Sequence, residues 1–326
     1  MTAGPPFFIV GCGRSGTSLL RSLLVRHPRV AIPLESLFLI DYLRAADARP
    51  LAELLPLMVR EPEIREWGLN PSLDDFKECT SVASAIRRLH EIYAEEQGKE
   101  TWGQKTPRFV RSLPLLAKHF PDARFVHLVR DPRAVVSSLI RSDVHRSNAY
   151  HGSIRWVQDV SRGLDFEAEN PGRVLRLRYE DLVGDVEASV GRLLEFLEIT
   201  LDAELDLAAS AGDEGYSAFY DQIHANLQRA PTDAFVERWR KSLSQDQIQV
   251  VEALAGERMA ELGYSRDFPA GQVSSRQLLK FRLSRLAGVF LQLGKYMRYR
   301  PRYFVYLLWR KSRLGLLGDF LGEANY

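Results

Sequence analysis

Phe7-Phe8-Ile9-Val10 leads into Gly11-Cys12-Gly13-Arg14-Ser15-Gly16-Thr17-Ser18, and the chain runs on to Arg26 with Leu19, Leu20, Leu23 and Leu24 at helical spacing. The apolar run reads as a buried strand, the glycine-rich segment as a tight loop and the leucine pattern as a helix. A loop between a strand and a helix aims backbone N–H groups and the positive helix end at one point, an arrangement that holds an anion such as phosphate. The spacing mimics the phosphate loop of nucleotide triphosphatases, with one chemical difference. Thr17 follows Gly16, so the lysine that grips β- and γ-phosphates is missing, and the basic residue is Arg14 inside the loop. That exchange counts against a triphosphate kinase and leaves a P-loop small-molecule phosphotransferase as the alternative reading.

Two further strand-then-helix steps lie downstream. Arg124 to Val129 is apolar and ends in Arg130-Asp131-Pro132, where Asp131 can cap and Pro132 can open a helix continuing to about Ile140. Arg173 to Leu177 alternates like a strand, and Tyr179-Glu180-Asp181 leads into a helix with Val186, Val190, Leu193, Leu194 and Leu197 on one face. Between the first two steps, Ser36 to Gly98 is broken by Pro50, Pro56, Pro62 and Pro71 and reads as a helical insertion bounded by proline turns. Strands alternating with helices predict an α/β fold around a central, mostly parallel sheet.

The composition fits that fold. A chain of 326 residues with 45% hydrophobic and 26% charged content can bury a large core, which excludes disordered, collagen-like and small disulfide-stapled classes. No apolar run reaches the roughly 18 to 20 residues of a spanning helix, and no basic leader precedes a long apolar stretch. Cys12 and Cys79 allow one bridge at most and cannot build a zinc site unaided, which fits a reducing compartment and a cytoplasmic protein. The net charge of +2 hides a split: from Gly271 onward eleven Lys and Arg face two Asp and Glu, a net of +9, so residues 1–270 carry −7. We therefore divide the chain into a body, 1–270, and a basic C-terminal extension, 271–326.

Arg14-Ser15-Gly16-Thr17-Ser18 resembles the 5′-phosphosulfate loop of the sulfotransferase superfamily, which takes a sulfuryl group from 3′-phosphoadenosine 5′-phosphosulfate (PAPS). The superfamily's second motif is an arginine at a strand end followed eight residues later by a serine, and Arg130 with Ser138 matches it. A guanidinium at a strand mouth and a hydroxyl two turns into the next helix can converge on one phosphate, which suits a 3′-phosphate. Ser137 is the neighbouring alternative. The likeness is closest to tyrosylprotein sulfotransferases and related bacterial enzymes, over roughly Phe7 to Leu262. It extends to Glu35, to Ile154-Arg155-Trp156-Val157 and to Leu177-Arg178-Tyr179-Glu180-Asp181-Leu182.

The resemblance implies a P-loop-like three-layer sandwich, PAPS as donor, 3′,5′-adenosine bisphosphate (PAP) as product, and no metal. It gives Glu35, 21 residues after Arg14, the role of general base, and it puts Tyr179 and Trp156 near the nucleotide. Where small-molecule sulfotransferases carry a Lys-Thr-His segment with a catalytic histidine, this chain has Lys105-Thr106-Pro107. The histidine mechanism therefore lacks its residue, and Lys105 remains to contact the sulfuryl group. Arg14, Lys105 and the loop amides from Ser15 to Thr17 would carry the charge of an in-line displacement, while Glu35 takes the proton of an acceptor hydroxyl. In Phe235-Val236-Glu237-Arg238-Trp239-Arg240-Lys241, Arg240 or Lys241 could close over the nucleotide, or the segment could be a surface helix with Trp239 packed inward.

In the extension, Leu279, Leu283, Leu286, Phe290, Leu293 and Met297 form one apolar helical stripe beside Lys280, Arg282, Arg285 and Lys295. Tyr303 to Trp309 is an apolar aromatic run between basic residues. This pattern suits either an interfacial element on an anionic membrane beside an amphiphilic or lipid-linked acceptor, or packing on the core or on a second subunit as a homodimer. Nucleic acid is not expected as a partner, because no recognition module accompanies the charge. A nonenzymatic, nucleotide-dependent membrane- or partner-binding protein is the remaining function class. The acceptor has no decodable motif.

Overall fold

Phe8 and Val10 face one side of the central sheet and Phe7 and Ile9 the other, so the first strand alone seeds two cores. Phe8 and Val10 pack with Phe38, Leu89, Phe109 and Phe120, whereas Phe7 and Ile9 pack with Leu20, Leu23, Leu193 and Leu194. A sheet buried on both faces between helices is the three-layer α/β sandwich that the strand-helix alternation predicts. The computed structural model describes residues 5–142, 147–200, 235–269, 271–284 and 301–316.

The strands are β1 (Phe7–Gly11), β2 (Val30–Ala31), β3 (Thr101–Lys105), β4 (Arg124–Val129) and β5 (Val174–Arg178), in the order β2-β3-β1-β4-β5 and all parallel. The chain leaves β1 towards β2 and β3 and then crosses back to β4, so the carboxyl end of β1 is a topological switch point, where open α/β sheets hold their ligands. Ile9 aligns with both Lys105 and Val126, and Val129 aligns with Arg178, which brings Gly11, Lys105, Arg130 and Tyr179 to one edge.

β2 and β3 escape the sequence reading. Two residues are too few for a pattern, and Thr101-Trp102-Gly103-Gln104-Lys105 shows no apolar run although every residue in it is buried. Gly103 is required there by packing: a Cβ would fall 2.3 Å from Phe7 Cζ.

Among the described residues, the α-helices of the body are α1 (Thr17–Leu24), α2 (Phe38–Ala45), α3 (Leu51–Met58), α4 (Pro62–Glu66), α5 (Val82–Glu96), α6 (Leu113–His119), α7 (Pro132–Arg141), α8 (Ala149–Glu169), α9 (Tyr179–Gly184), α10 (Val186–Phe196), α11 (Trp239–Ser242) and α12 (Gln245–Glu261). The insertion is helical, with α2 to α5 falling within 36–98. Pro50 and Pro62 open α3 and α4 as turn residues should, but Pro56 lies inside α3 rather than between helices, two residues from its end. Asp131 caps α7 by accepting from Arg133 N–H at 2.8 Å.

In the extension, residues 275–284 are helical with Leu279 and Leu283 exposed, while the stripe from Leu286 to Met297 lies outside the described residues. The aromatic run belongs to a helix, Pro301–Arg313, which packs on the insertion. Arg310 and Lys311 are only 2% and 5% exposed. Arg310 Nε donates to Asp41 Oδ2 at 3.1 Å, and Nη1 donates to Glu61 Oε2 and Glu63 Oε1 at 2.9 and 3.2 Å. Lys311 Nζ reaches Asp41 Oδ1 at 2.6 Å, and the Tyr42 and Tyr303 hydroxyls donate to Glu61 and Glu63. For this helix the core-packing alternative holds, because its two most buried cations are needed by three carboxylates of α2, α4 and the turn before α4.

Candidate active site

The loop after β1 is held in an unusual backbone. Arg14 has φ of 77° and Gly16 of 100°, both left-handed. Arg14 is a genuine outlier for a residue with a side chain, a cost of about 1 to 3 kcal/mol that recurs at functional sites. Gly16 cannot be replaced, since a Cβ there would lie 2.4 Å from the Tyr179 ring. Ser15 N–H is spent inside the loop on Cys12 O at 3.1 Å, which removes it from the anion-binding amides that the sequence suggests. Ser15 instead offers its hydroxyl, fully buried and with no hydrogen-bond partner among the described residues. Thr17 and Ser18 begin α1, whose first-turn amides face out of the helix.

Arg14 Nε donates to Ser138 Oγ at 3.0 Å, so the loop arginine and the α7 hydroxyl already meet. Ser137 turns away and shares a 2.6 Å hydrogen bond with Ser242 of α11. The Arg130 Cζ sits over the Tyr179 ring, 3.9 Å from its centroid, and the guanidinium donates to Phe235 O at 2.9 Å and Arg14 O at 3.3 Å. Its Nε is buried with no hydrogen-bond partner among the described residues. Trp156 is fully buried and donates to Arg130 O at 2.9 Å, so it fixes the arginine's backbone rather than offering a face to a ligand.

Burial pushes the Arg14 guanidinium below its ordinary range, and the neighbouring charges of Arg130, Arg141 and Arg155 add to that, opposed by Glu35. Arg141 in turn feels Arg238 and Arg130. These like charges gather on one rim and, with the buried Ser15 hydroxyl and Arg130 Nε, fit a ligand carrying more than one phosphate-like group. The sequence assigns no role to Arg141, Arg155 or Arg238, although the last two lie within the quoted segments 154–157 and 235–241. Arg141 falls one turn beyond Ser138 on the same helix face, a spacing that could have flagged it. Arg240 is turned to Asp267 and Glu237 and stacks on Trp239, and Lys241 is exposed beside it.

On the other side of the loop, Lys105 ends β3 with a nearly buried side chain. Its Nζ donates to Glu35 Oε1 at 2.5 Å and to Ser18 Oγ at 3.2 Å. The Glu35 side chain remains 30% exposed, so its carboxylate meets both the buried ammonium and solvent. A cation between a phosphate-type loop and a carboxylate open to an incoming molecule is an arrangement for group transfer: charge stabilisation on one side, proton removal on the other.

Residues 5–203 match the Sulfotransferase family. Curated relatives include a putative protein-tyrosine sulfotransferase of Caenorhabditis briggsae, 23% identical over 79% of this chain and 88% of its own length. Another is the omega-hydroxy-beta-dihydromenaquinone-9 sulfotransferase Stf3 of Mycobacterium bovis, 28% identical over 82% of this chain and 77% of its own. Among solved structures, the sulfotransferase domain of the curacin biosynthetic pathway superposes with a TM-score of 0.57 at 19% identity, covering 81% of this chain and 99% of that one. The corresponding domain of the Synechococcus PCC 7002 olefin synthase gives 0.52 at 23%, covering 82% and 98%. These two likenesses speak for the shared fold.

Proposed function

The chain belongs to the sulfotransferase family, and from that premise we propose that it moves a sulfuryl group from PAPS to an acceptor hydroxyl with Glu35 as general base. The phosphotransferase and nonenzymatic alternatives give way to the family assignment. PAPS supplies the activated sulfuryl group. Arg14, the Ser15 hydroxyl, Gly16, Thr17 and Ser18 receive its 5′-phosphosulfate, and Arg130 with Ser138 receives the 3′-phosphate. Tyr179 supports Arg130 through its ring, and Arg240 is already paired with Asp267 and Glu237, which leaves the exposed Lys241 to close the nucleotide side.

Glu35 accepts the acceptor's hydroxyl proton as the oxygen bonds to sulfur and the bond from sulfur to the phosphate oxygen breaks, releasing PAP. Lys105 and Arg14 stabilise the negative charge that builds on the sulfuryl and leaving oxygens. The observation that carries this reading is the Lys105 bridge between Ser18 of the loop and Glu35. Incubation with ³⁵S-labelled PAPS and a panel of alcohols, phenols, tyrosine peptides, sugars and prenyl lipids tests it. Label is expected in one hydroxyl class, and consumption of ATP with no labelled product from any class would overturn it.

Arg130→Ala should weaken PAP binding by roughly 1.5 to 3 kcal/mol, the range for losing a charged hydrogen-bonding partner. Adenosine 5′-phosphosulfate, which lacks the 3′-phosphate, should lose far less in the same titration. Equal losses would place Arg130 elsewhere on the nucleotide.

The acceptor we favour is amphiphilic, met at an anionic membrane from the cytoplasmic side. No helix among the described residues is long and apolar enough to cross a membrane. What supports peripheral attachment is the pair Leu279 and Leu283, four residues apart and 60% and 59% exposed, among the exposed cations Arg276, Lys280 and Arg282. Phosphatidylglycerol vesicles should bind the protein and release it at high salt, since headgroup attraction is screened. The double variant Leu279→Asp, Leu283→Asp should lose the vesicles and keep PAP. Indifference of the wild type to anionic lipid would favour a water-borne acceptor or a second subunit.

A further inference from the structure

The two residues flanking Glu35 are held by the two residues flanking Lys105. Gln104 Nε2 donates to Leu34 O at 3.2 Å, and Thr106 Oγ1 accepts from Ser36 N–H at 3.2 Å. Gln104 Nε2 also donates to Thr106 Oγ1 at 3.0 Å, joining the two supports. Gln104, Thr106 and Ser36 are fully buried, so the bonds from Ser36 N–H and Gln104 to Thr106 are made away from water, where an unpaired polar group costs the most. His90 of α5 backs the pair, its ring nitrogens 2.9 Å from Gln104 Oε1 and 2.8 Å from Ile86 O. The ring stacks on Trp102 with centroids 4.4 Å apart. From the loop side, Arg21 Nε of α1 donates to Ile32 O at 2.9 Å and Pro33 O at 3.2 Å.

We propose that Gln104 and Thr106 are positioning residues that lock the segment Leu34–Ser36 to the end of β3, so that Glu35 and Lys105 act as one preset unit. The inference rests on the role given to Glu35 above. Lys105 and Glu35 come from segments 70 residues apart, and side-chain contact alone leaves a carboxylate free to swing on its χ angles. Pinning both neighbouring peptide groups fixes where the Glu35 Cα–Cβ bond starts. It does so through the strand that carries the lysine, so movement of one partner is transmitted to the other. A base must sit within hydrogen-bond reach of the proton it takes, and a misplacement of about 1 Å can cost on the order of 100-fold in rate.

Thr106→Val keeps the shape and removes the acceptor, and Gln104→Met keeps the length and removes the amide. Each should lower kcat roughly 10- to 100-fold on the acceptor found in the labelling panel, with PAP affinity unchanged, and Thr106→Ser should restore the rate. In the free enzyme, the ¹⁵N-labelled Lys105 ammonium should give a resolved, exchange-protected signal. That signal should persist in Thr106→Ser and broaden away in Thr106→Val, Gln104→Met and the reference Glu35→Gln. Wild-type kcat in both Thr106→Val and Gln104→Met, or a parallel fall in PAP affinity and melting temperature, would overturn the positioning role. If Glu35→Gln itself turns over normally, the base assignment fails instead. A dead Glu35→Gln beside active Thr106→Val and Gln104→Met sinks only this inference.

Discussion

Glu35→Gln is expected to lower turnover by about 100-fold or more while PAP binds as before, because the amide keeps the side chain's shape and loses its proton affinity. Lys105 would still be held by Ser18, so the loop side of the site stays organised and the loss falls on kcat. Steady-state rates beside PAP titrations separate the two effects. Unchanged turnover with a hydroxyl acceptor would remove Glu35 from the chemistry.

Arg310→Ala is expected to destabilise the protein by about 3 to 5 kcal/mol, the cost of leaving buried charges without their partner. The guanidinium serves Asp41, Glu61 and Glu63 together, and these carboxylates have almost no access to water. Burial already pushes the Glu61 carboxyl up to about 8, with Arg310 the main influence drawing it down. Without Arg310 the Glu61 carboxyl is driven further towards its neutral form, and folding then requires a proton that is scarcer at high pH. The loss should therefore be smaller at pH 6 than at pH 8.5, the direction expected when the folded pKa lies above the unfolded one. Urea denaturation at the two pH values checks both magnitude and sign. A loss below about 1 kcal/mol would mean that the helix Pro301–Arg313 does not hold the insertion.

The parts of this molecule that are legible in sequence are those where the chain itself is local. Phe7 to Ser18 declares a strand, a loop and a helix within a dozen residues, and Arg130 to Ser138 does the same with a cap and a proline. Thr101–Lys105 is hidden because its burial comes from neighbours on both sides in the sheet, so polar residues are tolerated where their hydrogen bonds are met. Arg155 and Arg238 are hidden for a related reason: they join the rim from α8 and from the turn before α11, and only the packing of those elements against α7 brings them near Arg14 and Arg141. Charge counting misreads the extension in one respect. Arg310 and Lys311 add to its +9 in sequence, yet the fold spends them on Asp41, Glu61 and Glu63.

If the arginine-rimmed loop binds a nucleotide with phosphate at both the 3′ and 5′ positions, equilibrium binding of PAP reads this out without knowledge of the acceptor. Saturable calorimetric binding of PAP is expected in the absence of metal, displaced by PAPS, weakened in Arg14→Ala and Arg130→Ala, and indifferent to excess ATP with Mg²⁺. Absence of PAP binding, or displacement of PAP by ATP with Mg²⁺ as readily as by PAPS, would contradict it.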